Sequence, residues 1–167
     1  MSAALKTKTN ESLLYDKQLI YAFVDGTIKT FTETACSEVE FKQAFVEKQY
    51  RKRGDIAGVL NIVAPPLTGR LIVSYPQTAI LSIVENMFGE KHTELSNDVA
   101  DVVGELTNQI YGQAKTTLSD LGYEFGMSIP KVVVGDLSLP NPSYFASLVL
   151  PFILKNKTTF FVEINIE

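Results

Sequence analysis

Apolar and polar residues recur with a helical period between residues 97 and 121. Ser96, Asn97 and Asp98 supply side chains that often cap the start of a helix. The apolar positions are Val99, Val103, Leu106, Ile110, Ala114, Thr117 and Leu121. The polar positions are Asp101, Glu105, Asn108, Gly112, Lys115 and Ser119. Steps of three and four residues keep each set on one side, so the pattern predicts a helix with one buried and one presented face.

We call five residues of the presented face the polar stripe: Asp101, Glu105, Asn108, Gly112 and Lys115. The stripe combines acids, an amide and a base along one line of the helix. Gly112 and the nearby Gly104 lie inside the predicted helix, where a glycine costs about 1 kcal/mol relative to alanine. Two explanations for these glycines stay open, namely close approach by another molecule and tight packing against a neighbouring strand.

The same reading predicts two further helices and a set of strands. The helices span about residues 16–37 and 76–88, with Pro76 in the first turn of the second. The strands span about residues 39–47, 55–63, 69–75, 123–134, 144–154 and 158–166. A helix followed by three strands therefore occurs twice, and three consecutive antiparallel strands are the simplest arrangement of each set.

This order of elements predicts an α+β fold with a pseudo-twofold repeat of a helix plus three antiparallel strands, and an additional helix between the halves. Residues 1–14 are predicted to form a polar tail, and residues 15–167 a single domain. The halves span about residues 15–75 and 96–167, joined by the helix at 76–88. Pro130 and Pro151 cannot donate a ladder hydrogen bond, so we expect them at bulges, bends or edges.

The last predicted strand alternates between apolar and polar residues. Its apolar side carries Val162, Ile164 and Ile166, and its polar side carries Glu163, Asn165 and Glu167. This alternation is typical of an antiparallel strand with one face in solvent. An exposed sheet edge would also allow a homodimer to form by strand addition.

Composition narrows the classes of function. The chain has 167 residues, of which 46% are hydrophobic and 20% charged, and its formal net charge is −4. This charge argues against a general nucleic-acid binder, which needs clustered cations. The basic cluster at residues 48–53 is a local exception. We interpret it as a solvated hairpin tip between two strands, and the alternative is that it steers an acidic partner.

Cysteine, histidine and hydropathy patterns exclude several kinds of site. Cys36 is the only cysteine, so neither an intrachain disulfide nor a cysteine-based zinc site is available. His92 stands alone in a connector, which gives no support for a histidine triad or a metal site. Cys36, Met87 and Met127 are interpreted as packing residues. The chain shows no apolar signal core and no membrane-spanning run, so we expect a cytoplasmic protein that uses no metal of its own.

Four motifs together resemble a known family. They are Asp101-x-x-x-Glu105-x-x-Asn108, Gly112-Gln-Ala-Lys115, Gly122-Tyr-Glu-Phe125 and Ser128-Ile-Pro130-Lys-Val-Val-Val-Gly135. The chain resembles the CheX members of the CheC/CheX/FliY chemotaxis phosphatases. The resemblance covers most of the chain, because the repeated helix and strands are similar to the CheC-like fold. Pro130 matches the proline that the family carries downstream of its Glu-x-x-Asn pair.

The internal repeat tests whether the motif occurs twice. When the first helix is laid on the second through Asp25 and Asp101, Lys29 meets Glu105 and Thr32 meets Asn108. The first copy therefore lacks the pair, and the chain is similar to family members with a single site.

The resemblance implies hydrolysis of the phosphoryl-aspartate on a CheY-type receiver domain. It assigns Asn108 to orienting the attacking water and Glu105 to pairing with the receiver's active-site lysine. Asp101, Gly104, Gly112 and Lys115 become partner-binding residues. Mg²⁺ would come from the receiver, and a homodimer through sheet edges is expected.

A second reading stays open beside this one. Glu-x-x-Asn spacing is common on solvated helix faces, so the pair alone does not establish catalysis. The alternative is a non-catalytic adaptor that binds a receiver or a flagellar-motor component, or a dimeric scaffold of the same fold.

Overall fold

The structure is a computed structural model that describes residues 3–49, 51–135 and 146–167. The helices are α1 Ala3–Lys6, α2 Asn10–Leu14, α3 Lys17–Glu33, α4 Gln77–Phe88 and α5 Asn97–Asp120. The strands are β1 Val39–Phe41, β2 Phe45–Glu47, β3 Ile56–Ala64, β4 Leu67–Tyr75, β5 Lys131–Val134, β6 Ala146–Leu154 and β7 Thr159–Ile166. This architecture confirms the predicted α+β class. The predicted start of a strand at residue 144 lies outside the described residues.

The described strands form one antiparallel sheet in the order β1-β6-β7-β4-β3-β5, and β2 also pairs with β6. Two hairpins, β3–β4 and β6–β7, meet where β4 pairs with β7. Because these inner edges are occupied, β5 pairs with β3, and β1 and β2 pair with β6. The predicted run of three consecutive antiparallel strands in each half is therefore wrong. Each half instead places its first strand at the edge of the other half's hairpin.

The predicted strand at residues 39–47 is split in two beside Pro151 of β6. Phe41 pairs with Phe152 and Phe45 with Val149, so this chain segment advances one residue more than β6. The Lys42 N–H donates to the Pro151 carbonyl at 3.0 Å, while Pro151 has no N–H to donate in return. The expected bulge at Pro151 is confirmed. The outer edges of the described sheet are β5 on one side and β1 with β2 on the other, and dimerisation there stays a prediction.

The predicted strand at residues 123–134 is wrong for most of its length, since only Lys131–Val134 pair as β5. An irregular loop precedes it. The Gly126 N–H donates to the Val63 carbonyl at 2.8 Å, and the Phe125 ring meets Tyr111 of α5 edge-on. Pro130 ends the loop. Met127, predicted to pack, is 97% exposed, because these anchors turn its side chain toward solvent.

The N-terminal segment is not a polar tail. Residues 3–14 form α1 and α2, and Leu5, Leu13 and Leu14 are buried in the main hydrophobic core. Thr9 starts α2 with a reciprocal capping box to Ser12. The prediction failed because three leucines on one side of two very short helices leave little periodic signal among many polar residues.

The helices pack on one sheet face, and glycines set how closely α5 approaches. A Cβ at Gly58 of β3 would lie 1.9 Å from the Thr107 hydroxyl oxygen, so only glycine allows α5 to sit there. Gly26 of α3 similarly passes close to Gln113 and Ala114 of α5. These contacts fix α5 against both the sheet and α3, and its opposite face remains outside the core.

The other sheet face is also partly covered. Glu163 and Asn165, predicted to face solvent, are 1% and 0% exposed. Asn165 donates its amide hydrogen to the Ser147 hydroxyl at 2.6 Å, and Arg53 forms ion pairs with both Glu163 and Glu47. The hairpin-tip interpretation of the basic cluster is thus wrong for Arg53, since β2 and β3 do not pair and its side chain lies against the sheet.

Candidate functional site

The polar stripe lies along the solvent side of α5. Its five members are all exposed, namely Asp101, Glu105, Asn108, Gly112 and Lys115. Ser96 accepts a hydrogen bond from the Val99 N–H and so caps the start of the helix, as predicted. The buried face is wider than predicted, because Val102, Thr107, Tyr111 and Leu118 are also buried, whereas Thr117 is exposed. The helix therefore presents a stripe whose chemistry is available to another molecule.

The stripe forms a ridge between two depressions. On one side, a depression of about 400 Å³ is bounded by Asp101, Gly104, Glu105 and Asn108 of α5 and by the loop and strand residues Ser128, Ile129, Pro130 and Val132. On the other side, a groove of about 610 Å³ separates α5 from α4. Asp101 and Glu105 border both. A ridge of this shape suits insertion into a recess of another protein better than enclosure of a small molecule.

Glu105 is held by a short hydrogen-bonded chain. The Gln109 side chain donates to the Glu105 carboxylate at 2.7 Å, and the Thr34 hydroxyl donates to Gln109 at 2.5 Å. Thr34 is the C-cap of α3, so the neighbouring helix helps to orient the carboxylate. Sequence reasoning missed both supporting residues. The four-residue step from Glu105 to Gln109 was visible in the sequence, but the contact from Thr34 depends on how α3 packs against α5.

Asn108 differs from Glu105 because its amide is unengaged. No side-chain hydrogen bond joins it to any described residue, so both its carbonyl and its NH₂ can bind an incoming molecule. It stands beside the loop that ends in Pro130. The structure thus brings together Glu105, Asn108 and Pro130, the three residues that the family resemblance pointed to.

The two helix glycines have different surroundings. A Cβ at Gly112 would meet nothing within 4 Å, and a Cβ at Gly104 would make only ordinary contact with Val132, at 3.5 Å. Tight packing against a strand, one of the two explanations offered for these residues, therefore fails for Gly112. Tight packing does not explain Gly104 either, because a Cβ could be accommodated there. Close approach by another molecule stays a prediction for both.

The corresponding face of α3 carries different chemistry. A shallow depression there is bounded by Asp25, Ile28, Lys29, Thr32 and Glu33, at the steps found for the α5 depression. An isoleucine stands in the place of Gly104, a lysine in that of Glu105 and a threonine in that of Asn108. This arrangement agrees with the alignment of Asp25 on Asp101 and leaves the pair on α5 without a second copy.

Comparison with known proteins identifies the family. The family model described as chemotaxis phosphatase CheX matches residues 56–153, from the start of β3 to β6, and so includes all of α5. The chain belongs to the CheX family. The resemblance drawn from the α5 motif is thereby confirmed, and with it the chain's place among chemotaxis phosphatases. No curated protein matches the chain significantly.

Solved structures share the CheX fold over most of this chain. A CheC-like superfamily protein from Shewanella sp. PV-4 is 33% identical, with a TM-score of 0.82 over 91% of this chain and 99% of its own. CheX from Vibrio vulnificus is 27% identical, with a TM-score of 0.79 over 90% and 99%. A chain of the CheX–CheY–BeF₃–Mg²⁺ complex from Borrelia burgdorferi is 19% identical, with a TM-score of 0.74 over 89% and 97%. These likenesses confirm the CheC-like fold.

Two further features bear on the chemistry of this CheX-family chain. Within residues 3–49, 51–135 and 146–167, no group of three or more His, Cys, Asp or Glu side chains is arranged to hold a metal ion. In the same ranges, no helix is both long and apolar enough to cross a bilayer.

Proposed function

We propose that this CheX-family protein hydrolyses the phosphoryl-aspartate of a CheY-type receiver domain by inserting Glu105 and Asn108 into the receiver's site. The observation that carries the proposal is the ridge on α5, which presents an oriented carboxylate and an unengaged amide one turn apart. The family's description as a chemotaxis phosphatase supports it. So does the presence of CheY in the complex formed by the related Borrelia protein.

Asn108 acts by positioning a water molecule. Its carbonyl accepts a hydrogen from the water, while its NH₂ donates to a second acceptor and fixes the direction of the amide. The water oxygen then bonds to phosphorus as the bond to the aspartyl oxygen breaks, which yields inorganic phosphate and a free carboxylate. Phosphoryl transfer depends mainly on alignment and charge stabilisation, so an amide is sufficient for this role.

In this proposal, the positive charge that stabilises the reacting phosphoryl group comes from the receiver. The CheX–CheY complex of the related Borrelia protein contains Mg²⁺, and we take the ion to be held by the receiver's own carboxylates beside its phosphoryl group. Glu105 pairs with the receiver's active-site lysine and so fixes the register of docking. Asp101 and Lys115 contact the receiver from the two ends of the polar stripe.

The proposal is tested by following loss of phosphate from a phosphorylated CheY-type receiver with and without the protein. We expect catalytic acceleration over the receiver's spontaneous rate. No acceleration, combined with normal binding, would replace the phosphatase by the adaptor reading. If the protein neither binds the receiver nor accelerates phosphate loss, only the hypothesis of a dimeric scaffold would remain.

Replacing Glu105 with alanine should weaken docking. Loss of one charge-assisted hydrogen bond costs about 1.5–3 kcal/mol, which predicts a rise of at least about tenfold in the KM for the phosphorylated receiver. Glu33→Ala removes an exposed acid from the corresponding face of α3 and serves as the matched control. Steady-state kinetics at several receiver concentrations measures the effect. Equal KM values for the two variants would remove Glu105 from the interface.

Replacing Gly112 with alanine should separate stability from activity. Alanine raises helix stability by about 1 kcal/mol at an interior position, and nothing in the described structure opposes a Cβ there. If the receiver approaches the helix closely at Gly112, the same methyl group lowers kcat/KM. Urea unfolding and phosphate release measure the two effects. A stabilised variant with full activity would show that the receiver does not contact this position.

A further inference from the structure

The groove between α4 and α5 has an apolar floor that the helix ends leave open. Val84, Met87 and Phe88 of α4 and Val102 of α5 line it. Phe88 is 60% exposed although it is a large aromatic residue, because it is the last residue of α4 and Gly89 turns the chain away with a left-handed conformation. Phe88 is not packed against the hydrophobic core of the described residues, so its ring offers apolar surface at a groove of about 610 Å³.

The rim of the same groove is acidic. Its ionisable residues are Glu90, Asp98, Asp101, Glu105 and His92, and the described lining contains no lysine or arginine. None of the four carboxylates forms an ion pair with a described residue. Four carboxylates around one groove repel one another and attract a cationic partner. The surface is therefore complementary to an element that carries both apolar and basic side chains.

The groove is continuous with the proposed phosphatase ridge. Asp101 and Glu105 form the wall between the groove and the depression that borders Asn108. A receiver that accepts Glu105 would therefore lie next to the groove. This continuity selects the receiver as the occupant, rather than an unrelated protein.

We infer that the α4/α5 groove is a second docking surface for the receiver, which lays a basic amphipathic helix on Phe88 and Met87 beneath the acidic rim. The helix contributes apolar residues to the floor and lysine or arginine to the carboxylates of Glu90 and Asp98, as in helix-in-groove recognition. This inference rests on the proposed function, because it takes the receiver to be the partner. It adds a surface that distinguishes between receivers by the charge and the apolar face of one receiver helix. This selection does not depend on the positioning of water by Asn108.

The apolar part of the inference is tested with Phe88→Ala. The side chain is largely exposed, so the variant is expected to fold, which thermal unfolding verifies. We expect the KM for the phosphorylated receiver to rise about tenfold, which corresponds to loss of about 1.4 kcal/mol of binding, and kcat to fall less than twofold. Tyr21→Ala, which removes an exposed aromatic ring from α3, is the matched control and should leave both constants at wild-type values.

The charged part is tested with Glu90→Gln combined with Asp98→Asn. We expect the Kd for a beryllofluoride-bound, Mg²⁺-loaded receiver to rise about fivefold at low salt, with the difference disappearing near 0.5 M salt because mobile ions screen the rim. Glu85→Gln, an exposed acid on α4 that does not line the groove, is the control.

The outcomes separate this inference from the proposed function. Wild-type Kd and KM values in both groove variants, with active dephosphorylation, would overturn the groove and leave the phosphatase intact. Weaker binding by the groove variants in a protein that does not accelerate phosphate loss would uphold the groove and overturn the phosphatase. No receiver binding by the wild-type protein would overturn both.

Discussion

Replacement of Asn108 with alanine should lower the rate of receiver dephosphorylation by about a hundredfold or more, while the Kd for the receiver changes by less than about threefold. The two constants separate because the amide positions a small molecule, water, whereas docking uses Glu105 and the surfaces on either side of the ridge. Single-turnover phosphate release at saturating protein measures the rate, and titration with a beryllofluoride-bound receiver measures the Kd.

Two substitutions show whether the amide itself is required. Asn108→Asp keeps the shape of the side chain but replaces its NH₂ with a charged oxygen beside the phosphoryl group. We therefore expect a dephosphorylation rate as low as that of the Asn108→Ala variant. Thr32→Ala, at the corresponding position of α3, should retain the wild-type rate. An Asn108→Ala variant with the wild-type rate would overturn the catalytic assignment and leave the family membership unchanged.

The helix that carries this pair could be predicted from sequence because the signals are local. The cap at Ser96 and the apolar steps along α5 set both its start and its buried face within one continuous segment. The apolar steps missed Val102, Thr107, Tyr111 and Leu118, because α5 packs against both the sheet and α3 and so buries a wider face. The chemistry of the stripe was therefore visible before any tertiary contact was known.

Strand pairing could not be predicted in the same way. Alternation and β-branched residues identify a strand but do not say which free edge it will join. Here β4 and β7 pair with each other, which leaves the outer edges of β3 and β6 for the first strand of the opposite half. The outer strands pair with residues far along the chain, since Ile56 and Val134 are 78 positions apart and Val39 and Leu154 are 115 positions apart.

The surroundings of the site also depended on tertiary structure. The depression beside Asn108 needs the irregular loop before β5, and that loop is held by a hydrogen bond from Gly126 to Val63 on β3. The exposed Phe88 and the acidic rim come from α4, α5 and the segment between them, whose relative placement no local sequence pattern encodes. His92, which was interpreted as an ordinary connector residue, lines the same groove.

The covered sheet face shows how a local pattern can mislead. Glu163 and Asn165 alternate with apolar residues in β7 and resemble a solvated face, yet both are buried, and Arg53 from the segment before β3 forms an ion pair with Glu163. Arg53 is 12% exposed, and its guanidinium also lies 5.7 Å and 5.2 Å from the ring centroids of Phe45 and Phe161. Arg53 thus forms ion pairs with two carboxylates, those of Glu47 and Glu163, on a largely buried surface.

Burial raises the pKa of Glu163 to about 7, and the nearby Glu47 adds to that rise while Arg53 opposes it. A carboxyl group with a raised pKa in the folded state favours folding below its unfolded pKa, and that contribution is lost as pH rises through about 7. Arg53 limits this loss by compensating the charge. The contribution of Arg53 to the free energy of unfolding should therefore increase between about pH 5 and pH 8.

Replacing Arg53 with methionine should lower the free energy of unfolding by about 3–5 kcal/mol at pH 8, since two carboxylates are left at a largely buried site without a cation. The loss should be clearly smaller at pH 5, where Glu163 is protonated, and Glu163→Gln in the same chain should recover part of it at pH 8. Arg51→Met, at an exposed neighbour, should change stability by no more than about 0.5 kcal/mol. Urea unfolding at both pH values measures these differences. A loss in Arg53→Met that is independent of pH, or equal to that of Arg51→Met, would show that charge compensation on the covered face does not stabilise the fold.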